Sequence, residues 1–543
     1  LKAAFLLAKC FILLCKNNNE KGPFMPNSQM SELQSVPVVS QKYIAPIIPS
    51  ERLDALDILR GLALVGILLM NIEWFNRAIT SLGTQDTSLS GLDHIVGWLI
   101  RCFVEGKFYT LFSLLFGMGF AVMMQRAKAA GRPFGAWFSR RMIILIIFGV
   151  LHMVFLWGGD ILHSYGFAGL LLLAWLTILK KPRFQQYNNP QSFFKLAVVW
   201  LSIPIIITVI GAISFGLTHD HKTLLEQWHE EVKVTERVAE INLANEQLGL
   251  AAAENNTSVA AQNAKSIREE LTNKVPNALM AIATDELADE DIEESIEQYL
   301  TAIIEIKAQD IVAQQQAIHA DDLAEIKAFT QDSYWQATEF RLDFAWHMLM
   351  FSLPFAFFML MPIFILGYWL IASNIIQNYQ QHTRSFHITA WLGIGLGIVI
   401  ETCGLLVAQH PVVNQVTLLE TVGEGLFYFG QLVMSAGYFG LVMYLLANDK
   451  WHKRLTIFAP MGRMALTHYI SHSVILSSIF YGYAGGYFGE IPRAPQMLIV
   501  LVIIVLQLLL SRWWLKHYAY GPLEWLWRCL SYKKLYKLKK EYQ

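Results

Sequence analysis

The chain has 543 residues, of which 54% are hydrophobic and only 16% are charged, and its formal net charge is −1. Soluble domains carry about 25% charged residues, so this composition excludes an ordinary soluble enzyme. No nucleic-acid partner is expected. The sequence therefore predicts an all-α, polytopic helix bundle in a lipid bilayer.

Runs of about 20 mostly apolar residues are long enough to cross a bilayer as helices. Ten such runs predict spans near residues 56–75, 106–125, 142–158, 161–179, 194–217, 344–372, 386–408, 424–447, 464–482 and 496–515. The sixth run contains Pro354 and Pro362, which predict a kink.

The loops between these spans alternate in their Lys and Arg content, which predicts the side of the membrane on which each loop lies. Loops 126–141 and 180–195 and the tail after Lys516 are rich in basic residues, whereas loop 409–423 has none. Ten spans with both termini in the cytoplasm satisfy every loop.

Residues 218–342 interrupt the hydrophobic pattern with 9 basic and 25 acidic residues. Apolar residues recur there at helical spacing, so we expect several solvated helices on the extracytoplasmic side. Their acidic surface is either a solvated face or a binding surface. The predicted organisation is an N-terminal segment 1–50, membrane regions 51–217 and 343–531, the insert 218–342 and a basic cytoplasmic tail 532–543.

The segment 1–50 opens with the apolar stretch LKAAFLLAKCFILLC, and a polar stretch follows. We expect a misplaced start, with Met25 or Met30 as the first residue, or alternatively a signal or amphipathic segment. The five cysteines lack ligand spacing and predict no metal site. His468 and His472 have the spacing of metal ligands on a helix, but the sequence places no acid nearby, so packing is the favoured interpretation.

Polar residues collect at the predicted cytoplasmic ends of several spans. Asp57 and Arg60 share one face of the first span, within pairing distance. Arg463, Glu524 and Arg528 are expected at the same level. We predict that these five residues bind an anionic substrate, because Arg groups hold phosphates with paired hydrogen bonds. A closed salt-bridge network is the alternative.

A second polar set lies at the predicted outer ends of the spans. Asn71 and Glu73 end the first span, and Lys107 begins the second. His152 lies in the third span, with Asp160 in the glycine-rich turn that follows. A His beside a carboxylate can take a proton from an acceptor hydroxyl or amine. We therefore predict His152, with Asp160 or Glu73, as catalytic, and Asn71 and Lys107 as substrate-binding. The alternative is a buried His that donates to a neighbouring helix.

Two further features of these spans bear on packing and exposure. Gly61 and Gly66 predict close approach of a neighbouring helix to the first span. His163 follows Asp160 in the sequence, and we expect it to be more exposed than His152 and less suited to catalysis.

Five segments, in this order, resemble the signatures of the YeiB family of bacterial inner-membrane proteins, whose C-terminal half is a domain of unknown function. They are LDALDILRGLALVGILLMN, GKFYTLFSLLFGMGF, the FGVLH, GDIL and YG run, GRMALTHYI and YGPLEWLWR. The resemblance covers about residues 51–217 and 343–531. It implies a multi-pass protein of the bacterial inner membrane.

The YeiB family is in turn distantly similar to transmembrane acyltransferases, with which this chain shares Asp57, Arg60 and Gly61 at the start of the first span. In those enzymes an acyl-CoA enters from the cytoplasm, and an intramembrane His serves an acceptor on the far side. This chain lacks their early His, so His152 would have to replace it. The resemblance implies acyl transfer from acyl-CoA to an extracytoplasmic glycan or lipid acceptor, without a bound cofactor.

Two other functions fit the same two sets of polar residues at the inner and outer ends of the spans. In a transporter or lipid flippase they would be the inner and outer gates of a path through the membrane. In a non-enzymatic structural membrane protein they would be salt bridges that lock the helix ends.

Overall fold

The computed structural model describes residues 53–78, 89–131, 133–218, 221–252, 289–331, 333–408 and 417–540. Throughout these ranges the regular structure is helical, and the one β-type contact is an isolated bridge between Tyr518 and Lys539. The predicted all-α fold class is confirmed. The expectations for residues 1–50, including those for Met25 and Met30, lie outside the described residues.

In the first half of the described chain the helices are α1 Asp54–Phe75, α2 Gly91–Phe103, α3 Lys107–Ala129, α4 Gly135–Phe155, α5 Leu162–Ile178, α6 Pro190–Thr218, α7 His221–Ala252 and α8 Asp289–Thr330. In the second half they are α9 Tyr334–Phe355, α10 Met361–Ala372, α11 Thr383–Ala408, α12 Thr417–Leu446, α13 Asp449–Leu455, α14 Ala459–Arg463, α15 Ala465–Phe480, α16 Arg493–His517 and α17 Pro522–Tyr532.

Among the described residues, 8 helical stretches are long and apolar enough to cross a membrane. The other two predicted spans correspond to α5, with 17 residues, and to α15, with 16 residues. The polytopic membrane architecture is therefore confirmed.

Two segments differ from a plain series of straight spans. Helix α2 was not predicted, because Asp93, His94 and Arg101 break its hydrophobic pattern. It is amphipathic, and a short turn at residues 104–106 joins it to α3. Between α9 and α10 a π-helical segment, Ala356–Leu360, interrupts regular α geometry. This irregular segment lies beside Pro354, which removes one backbone donor from the helix.

The chain divides into two compact units, one of which consists of Thr208–Glu325 and Leu406–Val422. In this unit α7 and α8 lie side by side. Lys307 donates to Glu230 at 2.7 Å, and Asn242 donates to Gln315 at 3.0 Å, so the contacts advance in the same direction along both helices. The two helices therefore run parallel. Their apolar seam comprises Val234, Val238, Ala308 and Val312.

The other unit, which we call the membrane unit, holds helices α1 to α5, α9, α10 and α13 to α17 in full. Glycines allow its first helix to pack closely. A Cβ on Gly61 would overlap the Phe458 carbonyl, and a Cβ on Gly66 would overlap the Phe108 ring. The close approach predicted at Gly61 and Gly66 is confirmed.

A buried ion pair joins α3 to α11 in this unit. Lys107 is fully buried and pairs with Glu401, whose side chain is only 2% exposed. The Lys107 ammonium also donates to the Arg101 carbonyl at 3.1 Å. Because an isolated buried charge is costly, this pair constrains how the two helices meet.

We expect Gly61→Ala to lower the free energy of unfolding by about 1–3 kcal/mol, because the new methyl group overpacks rigid backbone. Gly395→Ala is the matched control, since a Cβ there meets open space. It should be neutral or stabilise by about 0.5–1 kcal/mol, since Ala favours helix over Gly. Denaturant unfolding in detergent micelles measures both variants, and equal effects would contradict the close α1 contact.

We expect Lys107→Met to lower the free energy of unfolding by about 3–5 kcal/mol, because it leaves the Glu401 carboxylate buried without its cation. The double variant Lys107→Met, Glu401→Leu should recover much of that loss. Lys180→Met, at an exposed position, serves as the control. Wild-type stability of the single variant in the same assay would show that the pair does not hold the helices.

Candidate functional site

A cavity of about 740 Å³ lies inside the membrane unit and is lined by residues of α1, α3, α4, α5, α9, α14, α15 and α17. Arg60 and Asn71, both on its wall, are separated by about 16 Å along α1 at 1.5 Å per residue. The cavity therefore extends through at least about half of a bilayer's hydrocarbon thickness of about 30 Å. Its middle is apolar and aromatic, with Phe108, Phe112, Leu115, Phe116, Met142 and Leu145 on the wall.

One end of the cavity is strongly basic. We call its five arginines the arginine cluster: Arg60, Arg126, Arg141, Arg463 and Arg528. The carboxylates that line the same end are Asp57 and Glu524. Arg60 Nη1 pairs with Asp57 Oδ1 at 3.0 Å, as the helical spacing predicted. Five cations and two acids lie on this part of the wall among the residues that the structure describes, and this balance favours an anion.

Aromatic side chains position two guanidinium groups of the cluster. The Arg141 guanidinium carbon lies 3.5 Å from the centre of the Trp527 ring, and that of Arg528 lies 4.2 Å from the centre of the Tyr520 ring. Among the described residues, Arg141 Nε and Arg528 Nη1 are buried without a hydrogen-bond partner. Stacking thus fixes the guanidinium planes and leaves N–H groups for a ligand.

At this end of the cavity, the Glu524 carboxylate is hydrogen-bonded to the start of α15. Its carboxylate accepts hydrogen bonds from the backbone N–H groups of Leu466, at 2.7 Å, and Thr467, at 3.0 Å, and from the Thr467 hydroxyl at 2.6 Å. These groups belong to the first turn of α15, whose backbone donors have no partner within the helix. Burial raises the pKa of Glu524, and the hydrogen bonds oppose that rise. Glu524 therefore ties α17 to α15.

The opposite end of the cavity is organised around Asp160, in the turn between α4 and α5. Asp160 Oδ2 lies 2.8 Å from His152 Nδ1, and Oδ1 lies 2.9 Å from His163 Nδ1. The backbone N–H of His163 also donates to Oδ1 at 3.1 Å. One carboxylate is thus shared by two imidazoles, and we call Asp160, His152 and His163 the histidine cluster.

This arrangement fixes the tautomers of both rings. Burial raises the pKa of Asp160, but hydrogen bonds and electrostatic attraction from His152 and His163 together lower the pKa below its ordinary value. The carboxylate is therefore ionised at neutral pH and only accepts, so each ring presents Nδ1–H to it. Each Nε2 then faces a serine: His152 lies 2.7 Å from Ser473 Oγ, and His163 lies 2.6 Å from Ser352 Oγ.

Only part of the histidine cluster lies on the cavity wall. Asp160, His163 and Ser352 line the cavity, whereas His152 and Ser473 lie behind it. The predicted meeting of His152 and Asp160 occurs, since the turn at Gly159 brings them together. His163 is only 3% exposed, contrary to the greater exposure that we expected, and it is the imidazole that faces the cavity.

The remaining predicted site residues divide between the cavity and the packing of the unit. Asn71 lines the histidine end. Glu73 lies off the cavity wall and pairs with Arg77 at 3.0 Å and with Arg493. Lys107 also lies off the wall, in its pair with Glu401. The two residues are therefore placed to join helices.

The two histidines considered as metal ligands pair with α16 instead. His468 Nε2 lies 2.6 Å from Ser511 Oγ, and His472 Nε2 lies 2.9 Å from Gln507 Oε1. These contacts fit the packing interpretation of the sequence.

Sequence reasoning missed Arg126, Arg141, Ser352 and Ser473. The two arginines were visible only as part of a basic loop, and their cavity-facing position requires the fold. The two serines are single polar residues in apolar helices, and such residues carry no recognisable pattern.

Comparisons with known proteins find one matching family model and several similar uncharacterized proteins. Residues 370–534 match the model of the family described as protein of unknown function (DUF418). The chain is 24% identical over 495 residues to the uncharacterized protein YxaH of Bacillus subtilis, covering 90% of this chain and 96% of YxaH. No solved structure matches the chain.

Two relatives match over shorter stretches of the chain but with higher sequence identity. Over 141 residues, the chain is 31% identical to the uncharacterized protein YeiB of Escherichia coli, covering 26% of this chain and 34% of YeiB. Over 136 residues, it is 38% identical to a 39.9 kDa protein of Bacillus acidopullulyticus, covering 25% of this chain and 37% of that protein. Over residues 370–534 the chain carries a DUF418 domain, and it is similar to the uncharacterized proteins YxaH and YeiB.

Proposed function

We propose that this protein transfers an acyl group from an acyl-CoA to the hydroxyl or amine of a glycan or lipid acceptor. The observation that carries the proposal is a single cavity with the arginine cluster at one end and the His163–Asp160 pair at the other. An acyl-CoA has matching parts: phosphates, a long flexible arm and a thioester.

The arginine cluster suits the phosphates of the donor. Guanidinium groups bind phosphate with paired, charge-assisted hydrogen bonds, which are stronger than neutral ones. Arg141 and Arg528 have buried N–H atoms without a partner in the described chain, so a bound phosphate would satisfy them. Like charges gathered in an apolar unit repel one another, and an anion relieves that repulsion.

The histidine cluster supplies acid–base chemistry. With Nδ1 donating to Asp160, the Nε2 of His163 accepts a proton from the attacking acceptor and returns it later in the reaction. Asp160 stabilises the imidazolium that forms. His152, which lies behind the wall, holds the second oxygen of the same carboxylate and keeps it in place.

The two ends are assigned to opposite sides of the membrane by loop charge. The basic loop 126–141 leads into the arginine end, which supports a cytoplasmic location for that end. Acyl-CoA is a cytoplasmic metabolite, so the donor enters there. The acceptor then approaches the histidine end from the extracytoplasmic side. We extend the same assignment to cytoplasmic termini and an extracytoplasmic insert at 218–342.

Transport is the second candidate, because a cavity with a cationic end and an apolar middle also suits an anionic lipid. Transport alone needs neither a fixed imidazole tautomer nor the loss of an acyl group from CoA. Turnover of acyl-CoA therefore separates the two functions.

Arg528→Gln and Arg141→Gln should each weaken acetyl-CoA binding about 10- to 100-fold, because each removes charge-assisted hydrogen bonds to phosphate. Arg140→Gln is the matched control: Arg140 adjoins Arg141 but donates to the Ser531 carbonyl and lies off the cavity wall. Isothermal titration of the protein in nanodiscs measures the Kd values. Equal weakening by Arg140→Gln would remove the arginine cluster as the donor site.

His163→Gln and Asp160→Asn should each slow release of the CoA thiol by about 10²- to 10⁴-fold, the usual contribution of a general base. His152→Gln should have a smaller effect, since His152 lies off the cavity wall. His468→Gln, which changes a buried His bonded to Ser511, controls for packing. A thiol reagent follows turnover of acetyl-, succinyl- and palmitoyl-CoA.

The wild-type result of that assay decides between the two candidate functions. If folded protein neither binds nor turns over any of these donors, acyl transfer is wrong. Movement of labelled anionic lipid across proteoliposomes would then support transport.

A further inference from the structure

We propose that Ser352 is a catalytic nucleophile that carries the acyl group as a covalent ester between donor and acceptor. The proposal rests on the proposed acyl transfer and adds an acyl-enzyme intermediate to it. The geometry that points to Ser352 is a Ser–His–Asp chain on the cavity wall, made of Ser352, His163 and Asp160.

Distances in this chain suit proton transfer. Ser352 Oγ lies 2.6 Å from His163 Nε2, and His163 Nδ1 lies 2.9 Å from Asp160 Oδ1. A nucleophilic serine needs a base within hydrogen-bond distance, and the base needs an orienting group. The roles, and not the order of the residues along the sequence, identify such a triad.

The Ser352 hydroxyl also has two hydrogen-bond acceptors within reach. Besides facing His163, Ser352 Oγ lies 2.6 Å from the Met348 carbonyl. When His163 is neutral, the hydroxyl donates to Nε2 and its oxygen is activated for attack. When His163 is protonated, Nε2–H donates to Oγ and the hydroxyl donates to Met348. Both protonation states of the histidine are therefore satisfied without movement of the backbone.

The backbone around Ser352 departs from regular helix. Pro354 follows two residues later and has no N–H to donate to the Met350 carbonyl, and the π-helical segment Ala356–Leu360 begins directly after α9. Segments of π-helix occur frequently at functional sites. Ser352, which lies on the cavity wall, thus immediately precedes the irregular part of the helix.

Two other serines contact the histidine cluster, and both fit the role less well. Ser473 Oγ lies 2.7 Å from His152 Nε2, but neither residue is on the cavity wall. Ser164 is on the wall, yet its Oγ is 3.2 Å from His163 Nε2, longer than the contact of Ser352. Ser352 alone among the three combines the short contact with access to the cavity.

The proposed reaction balances in two steps. In the first, Ser352 Oγ bonds to the thioester carbonyl carbon while its proton moves to His163 Nε2. The carbon–sulfur bond then breaks, and the CoA sulfur leaves with that proton as a thiol. In the second, the acceptor hydroxyl or amine attacks the Ser352 ester and gives its proton to His163. The bond from the carbonyl carbon to Oγ breaks, and Ser352 regains the proton from His163.

A fluorophosphonate tests the nucleophile without any CoA, since an activated serine oxygen displaces fluoride from its phosphorus. Wild-type protein in nanodiscs should be labelled on the peptide that contains Ser352, as read by tandem mass spectrometry. Ser352→Ala should lose the label, and His163→Gln should slow labelling by about 100-fold or more. Ser473→Ala, the matched control, should retain the label at Ser352. Absence of label from wild-type Ser352 overturns the proposal.

Turnover of acyl-CoA supplies an independent check. Ser352→Ala should reduce CoA release by about 10³-fold or more, as expected for loss of a nucleophile, whereas Ser352→Cys should accumulate a thioester that hydroxylamine cleaves. Retained turnover in Ser352→Ala would overturn the proposal that Ser352 is the nucleophile. It would remain compatible with acyl transfer in which His163 acts directly on the acceptor. Label at Ser352 without turnover of any acyl-CoA keeps the nucleophile and removes the proposed donor.

Discussion

The arrangement of the histidine end depends on one ionised carboxylate buried in an apolar unit. An unpaired carboxylate there would be strongly destabilising, so Asp160 needs donors on both oxygens. His152 and His163 provide them, and the backbone N–H of His163 adds a third. Since the two imidazoles come from α4 and α5, one charge fixes the meeting of both helices and the tautomer of each ring. The same hydrogen bonds to Asp160 thus stabilise the contact between the two helices and orient the imidazoles for proton transfer.

The arginine end poses the opposite electrostatic problem. Five guanidinium groups line it, and of the two carboxylates on its wall Glu524 is already engaged with the first turn of α15. Aromatic faces of Trp527 and Tyr520 offset part of the cost, because they attract cations without neutralising them. A cavity end with more arginines than carboxylates among its described wall residues is suited to a multiply charged anion.

Much of the fold was predictable from local sequence. Apolar runs located the spans, and Gly61 and Gly66 located a close helix contact. Each of these signals is carried by the residues of a single helix, so it can be recognised without knowing the fold. Even the meeting of His152 and Asp160 followed from a short glycine-rich turn.

The site residues that sequence reasoning misplaced depend on distant partners. Lys107 and Glu73 resembled substrate-binding or catalytic groups until the fold brought Glu401 and Arg493 to them, about 300 and 400 residues away in the chain. Ser352 shows the converse: nothing near it in sequence marks it, and its significance lies in a contact with His163, 189 positions away. Spacing along a helix predicts neighbours on that helix, but it cannot show which helix packs against it.

Helix α1 connects the two ends and constrains what the cavity can hold. Its wall residues fall at intervals of three, four and seven positions, which lie on one face of a helix, so they form one stripe along it. In order they are Leu53, Leu56, Asp57, Arg60, Ile67, Met70, Asn71 and Trp74. The stripe is charged near Arg60, apolar in the middle and polar again at Asn71. A molecule bound along it must present an anionic group, an apolar or flexible arm and a polar reactive group in that order and over about 16 Å. A simple anion lacks the arm, and a simple hydrocarbon lacks both ends. An acyl thioester on a phosphorylated carrier has all three.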